Sequence, residues 1–330
     1  MPAQRLDARA VRALRGPRTA MDPARPLAVL GEWERAPEGG LASWLTVFLA
    51  GAECRFTCVF CDLWRHTLEG PTPPGAIPRQ IVAAREDAGP GPPPAGGWRG
   101  IKLYNASNFF DERAVPAADD EAVLAAVEPF SRVLVECHPA LVGPRCLSFA
   151  AALARRGARL EVAMGLETVH PAAQRRLGKG LTTEAFAAAA GRLREAGCAV
   201  RAFVLVGAPW VPAGEAAVWA VASVRAALAA GASFVSVIPV RGGNGALEEL
   251  GRRGAWRPPT LGDLEAALEG GLEAAAGSGA VVAADLWDAH HCAPCPACAA
   301  ARLERLERLN LRGLSEPPVA CPACGSGGAA

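Results

Sequence analysis

Three cysteines in close order, Cys54, Cys58 and Cys61, form a C-x3-C-x2-C triplet directly behind the apolar run Trp44-Leu45-Thr46-Val47-Phe48-Leu49. Three thiolates on one short loop can hold three irons of a [4Fe–4S] cluster. Such clusters otherwise take four Cys, and no fourth follows at close spacing, so one iron is left open for a small molecule. The plainer readings are three buried thiols or a zinc site. Phe60, immediately before the last Cys, is an aromatic anchor for the loop.

A second set lies near the C-terminus. Cys295-x2-Cys298 and Cys321-x2-Cys324 are two CxxC pairs separated by 22 residues, with Cys292 and His290-His291 just upstream. Paired knuckles at this spacing are the signature of a closed four-thiolate zinc site. The surplus Cys292 keeps a second iron–sulfur cluster open as a reading, and unliganded thiols are the plain one. The segment holds few large apolar residues, so a metal must supply much of its stability. Between the pairs, Arg302, Arg305, Arg308 and Arg312 alternate with Glu304 and Glu307 on a helix. That pattern fits a solvated face or a nucleic-acid-contacting arm. Cys137, Cys146 and Cys198 read as small buried side chains.

The elements that must position the triplet alternate along the chain. Short, β-branched, near-continuously apolar runs predict strands at 44–50, 100–105, 132–137, 159–165, 199–206 and 233–239, buried on both faces as parallel strands are. Helical stretches fall at 78–87, 119–128, 146–156, 183–196 and 214–229. Helix 261–276 and strand 280–287 continue the layer. The fold class is therefore α/β, a partial (β/α)6 barrel at 41–288. Residues 1–40 read as an irregular extension, 289–330 as a small Cys-rich metal-binding module, and 89–97 as a proline-rich loop.

In such a barrel, chemistry gathers at the C-terminal ends of the strands. The triplet sits past the first strand. After the second come Asn105 and Ser107, short polar groups suited to an ammonium and a carboxylate, or to a simple strand-end turn. Glu136 follows the third strand and Glu167 the fourth; each can receive ligand hydroxyls or pair with a basic rim residue. Gly207 follows the fifth, where glycine permits close backbone approach to a ligand. His66, Asp285 and Asp288 are further polar candidates near the same end.

The segment Glu53-Cys54-Arg55-Phe56-Thr57-Cys58-Val59-Phe60-Cys61 resembles the cluster loop of the radical S-adenosylmethionine (SAM) superfamily. The resemblance implies that SAM chelates the open iron and is cleaved by one electron to methionine and a 5′-deoxyadenosyl radical, which takes hydrogen from a substrate. It places the Phe60 backbone near the adenine, and Asn105, Ser107, Glu136, Glu167 and Gly207, at the neighbouring strand ends, are the candidates for the other cofactor contacts. Further stretches resemble the elongator-subunit-like subgroup, nearest to the radical SAM subunit of archaeosine synthase. They are residues 101–116, Val135-Glu136 with Pro139, Gly165-Leu166-Glu167-Thr168, Lys179-Gly180-Leu181-Thr182, Pro209-Trp210-Val211 and Arg257-Pro258-Pro259. That subgroup implies a modified tRNA nucleoside as substrate and an electron donor of flavodoxin or ferredoxin type. The sequence departs from the pattern at His138, where a basic residue is expected, and at Gly207-Ala208, where a Lys is expected near Pro209. A small-molecule or peptide substrate, and a non-catalytic RNA-binding iron–sulfur or zinc protein, are the competing readings.

Composition sets outer bounds. With 34 Lys+Arg against 33 Asp+Glu in 330 residues, the net charge of +1 gives no global attraction to nucleic acid. The Arg- and Ala-rich start has no apolar signal region, and no run of 18 apolar residues offers a membrane span. CxxC spacing without a signal peptide points to metal chemistry in a reducing, cytoplasmic compartment rather than to disulfides.

Overall fold

The computed structural model describes residues 6–87 and 97–324, so the proline-rich loop lies, but for Gly97, outside the described residues. Among them, eight strands form one sheet in chain order: β1 (Ala28–Arg35), β2 (Leu41–Leu49), β3 (Gly100–Asn105), β4 (Arg132–Glu136), β5 (Arg159–Glu167), β6 (Ala199–Val206), β7 (Phe234–Pro239) and β8 (Val281–Ala284). The β1–β2 pair is antiparallel and every later pair is parallel. The helices are α1 (Ala8–Ala13), α2 (Ala76–Asp87), α3 (Asp120–Ala126), α4 (Pro144–Arg155), α5 (Pro171–Arg176), α6 (Thr183–Glu195), α7 (Ala216–Ala229), α8 (Ala246–Arg252), α9 (Leu261–Ala275) and α10 (Ala299–Arg312). Helix starts follow from local chemistry. Thr182 accepts from the Ala185 N–H at the head of α6, and Thr260 and Asp263 cap α9 reciprocally.

The sheet is curled. Glu34 on β1 accepts from both terminal nitrogens of Arg201 on β6 at 3.0 and 2.8 Å. In a flat sheet these strands would stand about 24 Å apart, five strand spacings. Helix α10 packs against both β1 and β8, bridging the seam between the sheet's two edges. There the Asn310 side chain donates to the Ala284 carbonyl and accepts from the Ala284 N–H, both at 2.8 Å, covering edge-strand backbone that would otherwise be open to pairing. The main apolar core lies between the sheet's outer face and the helices.

Inside the barrel the floor is charged. Lys102 reaches Glu32 and Glu34 at 2.5 and 2.7 Å, and Arg201 reaches Glu161 at 2.7 Å while stacking over Phe234 at 3.7 Å. Arg132 approaches Glu161 at 3.4 Å and lies over Trp44 at 5.2 Å. Burial alone would raise the Glu34 carboxyl, but Arg201 and Lys102 outweigh it and hold it well below the usual carboxylate range. Buried charges persist when each is paired and hydrogen-bonded, as here.

Two expectations are corrected. Part of the extension read as irregular forms β1, whose pattern is inverted: Glu32 and Glu34 turn to the interior while Trp33 is 51% exposed. The α10 arginines do not all lie on a solvated face. Arg302 and Arg305 are buried against Glu265 and Glu269, and Arg308 and Arg312 pair with Glu316. Among the described residues, no helix is long and apolar enough to cross a membrane.

Candidate active site

The cysteine loop leaves the end of β2 and is held from every side. Its first backbone groups bond to Gln80 and Thr72, at 2.8–2.9 Å. The Val59 N–H donates to the Leu177 carbonyl at 2.9 Å, and Asn244 Nδ2 donates to the Val59 and Cys61 carbonyls at 2.9 and 3.4 Å. Gly178 packs so closely below that a Cβ there would lie 2.6 Å from the Thr57 carbonyl oxygen, and its φ of +78° also favours glycine. From the N-terminal side, α1 buries Val11 against Val59 and its neighbours. Arg12 donates to Thr57, and Arg15 and Arg18 both pair with Glu53. Val59 is buried and Phe60 partly so, both in this second core.

Within the loop, burial pushes all three thiols up, Cys58 to about 12. A thiolate in this loop would need a stabilising partner such as a metal ion.

Polar groups at the neighbouring strand ends face the loop. At β3, both amide atoms of Asn105 and the Ser107 hydroxyl are buried without a hydrogen-bond partner. Buried polar groups are normally satisfied, so this pair is suited to a ligand. Asn108 is differently employed: its Nδ2 donates to Cys54 Sγ at 3.2 Å, and its Oδ1 accepts from the His138 N–H at 2.7 Å. At β4, burial pushes the Glu136 carboxyl up to about 8, offset only in part by the Asn105 N–H at 3.3 Å.

His138 is held near 4 by burial first and the Lys179 charge second. Neutral at pH 7, its Nδ1 accepts from the Ala140 N–H at 3.1 Å. Its Nε2 therefore carries the proton facing the Lys179 carbonyl at 3.2 Å. Its ring stacks on Phe56 of the cysteine loop, with centroids 3.9 Å apart.

At β5 a bulge between Gly165 and Glu167 re-aims the carboxylate. Glu167 sits at φ 66°, unusual for a residue with a Cβ, and accepts from Lys179 Nζ at 2.5 Å. Gly165 makes room for this pair: a Cβ there would fall 1.9 Å from Glu167 Oε1 and 2.3 Å from Lys179 Nζ. Lys179 is a buried cation facing Cys54 and Cys58 as well as Glu167. Gly207 lies under Pro259, with its carbonyl accepting from Trp256 Nε1 at 3.0 Å. Cys137 is buried, its thiol pushed up to about 12. His66 Nδ1 is buried without a partner. Asp285 accepts from the Trp287 N–H at 2.9 Å, and Trp287 faces Phe48 at 6.1 Å.

In the sequence Asn108 stands only as a member of the polar cluster after β3, and Lys179 only as part of a stretch that carries the resemblance. Asn108 lies one residue past the polar pair at β3. Lys179 follows a glycine in a short turn between helices, and only its reach back to β5 marks it.

Near the C-terminus, Cys295, Cys298, Cys321 and Cys324 gather with all four sulfurs within 4.8 Å. Cys295 and Cys321 are 4.0 Å apart and Cys298 and Cys324 3.9 Å apart, against about 3.8 Å for the edge of a tetrahedron with bonds of about 2.3 Å. The group is suited to a single metal ion. Cys292 is buried in the main core, outside the group. Exposed Asp288, His290 and His291 also bring three ligand atoms within 4.8 Å.

No family model and no curated protein matches the chain. Solved structures do. An N-terminally truncated Elp3 from the archaeon Methanocaldococcus infernus shares 13% identity at a TM-score of 0.49, covering 76% of this chain and 60% of its own. Methylornithine synthase (PylB) shares 14% at 0.49, covering 84% and 75%. The radical SAM methyltransferase TsrM from Kitasatospora setae shares 17% at 0.40, covering 59% of this chain, which spans only 35% of the TsrM chain. Likeness of this degree assigns neither a reaction nor a site residue.

Proposed function

We propose that this chain is a radical SAM enzyme, with a [4Fe–4S] cluster on Cys54, Cys58 and Cys61. The observation that carries the reading is the pairing of a three-cysteine loop with orphaned polar groups at the same end of the barrel. Three thiolates on one loop suit a cluster, which would anchor each on a different iron and leave the fourth iron open. The buried, unpartnered Asn105 amide and Ser107 hydroxyl fit the amino and carboxylate groups of SAM. Held by Cys54, Cys58 and Cys61, the cluster with SAM would supply one-electron reductive cleavage and radical hydrogen abstraction.

The chain's own residues hold, orient and seal. Lys179 offsets the negative charge that thiolates and Glu167 would bring together in a buried site. The bulge at Gly165 aims Glu167 toward the cysteine loop, where its free oxygen can take ligand hydroxyls. Among the described residues no cationic side chain is in hydrogen-bond contact with Glu136, although the Lys179 charge acts on it, and a cationic ligand group would complete its pairing. Helix α1 and Arg12, Arg15 and Arg18 close the loop's outer side against water.

Zinc is the metal proposed for the four C-terminal thiolates, as a closed structural site that holds α10 over the barrel seam. Electrons would come from a flavodoxin- or ferredoxin-type protein. A modified tRNA nucleoside is the substrate favoured by the resemblance of 101–116 and its companion stretches. The α10 arginines lend it no support, since each is engaged with a carboxylate. Elemental analysis and electron paramagnetic resonance (EPR) of anaerobically purified protein test the reading. About four irons and one zinc per chain, with an EPR signal that changes on adding SAM, are expected. About eight irons without zinc would make the C-terminal site a second cluster, and no iron at the triplet would end the proposal.

A further inference from the structure

We infer that Asn108 sets the reduction potential of the cluster through a hydrogen bond to the Cys54 sulfur; this rests on the cluster reading above. Asn108 is buried at the end of β3, with its side chain between the cysteine loop and the β4 end. The orientation of its amide is dictated from behind. The His138 backbone N–H can only donate, and it meets the Asn108 side chain at 2.7 Å, so the atom there must be Oδ1. Nδ2 is thereby turned to Cys54 Sγ at 3.2 Å as a donor.

The contact that orients Asn108 comes from the His138 main chain and so does not depend on the stack of the His138 ring on Phe56. The donor is therefore held on a rigid mount rather than on a free side chain. Cys54 receives a second donor, the Phe56 N–H at 3.4 Å, which belongs to the loop's own turn. Asn108 is the contribution from outside the loop.

A hydrogen bond to a cluster thiolate stabilises the form with more negative charge, which is the reduced one, and so raises the potential. Bonds to charged partners are roughly twice as strong as neutral ones. Removing the donor is expected to change the one-electron reduction constant about tenfold, about 59 mV more negative. Asn108 is thus a positioning and tuning residue; it need touch neither SAM nor substrate.

The test is an EPR-monitored redox titration of the anaerobically reconstituted full chain, with iron counted in each sample. Asn108→Asp keeps an acceptor for the His138 N–H and removes the donor; Asn108→Ala removes both. Phe56→Leu loosens the same corner but keeps the donor. The two Asn108 variants should hold the wild-type iron complement with midpoints shifted negative, while Phe56→Leu stays at the wild-type value. Iron-loaded Asn108 variants with unshifted midpoints would overturn the inference and leave the cluster reading intact. An equal shift in Phe56→Leu would also overturn it, as general loosening. Wild-type protein without iron at the triplet would remove the underlying reading instead. Should neither Asn108 variant fold, pulsed EPR of reduced wild-type protein labelled with [15N]asparagine decides. Coupling to a side-chain amide nitrogen that persists in Asn105→Asp and Asn244→Asp proteins supports the bond, and its absence from the wild type overturns it.

Discussion

Glu136→Gln should make the ligand-free protein less sensitive to alkaline pH than the wild type. Burial lifts the Glu136 carboxyl from 4.5 to about 8. Between those values the folded chain holds a proton that the unfolded chain has lost. The raised pKa therefore contributes stability that is full below about 4.5, falls as pH rises, and is gone above about 8. At 1.36 kcal/mol per pH unit the whole span is worth at most about 4–5 kcal/mol. Glu136 is only half-buried by its surface, and solvent at the barrel mouth screens it, so about 2 kcal/mol is the reasonable expectation. The glutamine keeps an acceptor for the Asn105 N–H but cannot titrate. Anaerobic urea denaturation of metal-free protein at pH 5, 6, 7 and 8 measures the effect. The wild type should lose about 2 kcal/mol relative to the variant across that series, most of it before pH 8. Parallel stability curves would refute the reasoning and make Glu136 an ordinary solvated carboxylate.

Gly165→Ala should displace the Glu167–Lys179 pair, costing about 1–3 kcal/mol and at least tenfold in SAM affinity by calorimetry, with iron content retained. Arg201→Met leaves Glu34 with Lys102 alone and Glu161 with Arg132 alone in the barrel floor and should cost about 1.5–3 kcal/mol in urea denaturation, leaving the iron content of the folded fraction unchanged. Cys321→Ser should lower C-terminal metal content, read by elemental analysis, and the melting temperature, while the triplet keeps its iron.

The parallel strands were legible because each is a short β-branched run buried on both faces, and the triplet because three thiols on one loop suggest one kind of job. Strand β1 was hidden by its inverted pattern, charges inward and Trp33 outward. The charged floor was hidden for a related reason. Lys102 and Arg201 each stand alone in an apolar strand, Arg132 and Glu161 share theirs with other charges, and all four look incidental until curling brings them together. Four consecutive strands each carrying a charge within its first three residues was the available signal. Asn105 and Ser107 could be named from their place at a strand end, but that they lack partners is a property of packing alone. The employment of Asn108 depends on the His138 N–H, thirty residues away in sequence. The α10 arginines misled because an alternating Arg/Glu helix usually faces water, whereas this one is laid against α9 with Glu265 and Glu269 turned toward it.

Release of 5′-deoxyadenosine tests the central claim most directly. Anaerobically reconstituted, chemically reduced protein is incubated with SAM, and the product is quantified by chromatography. The wild type should release 5′-deoxyadenosine, and Cys58→Ala should lose both that release and the brown absorbance of the cluster. Undiminished release from Cys58→Ala, or none from iron-loaded wild-type protein that binds SAM, would contradict the account.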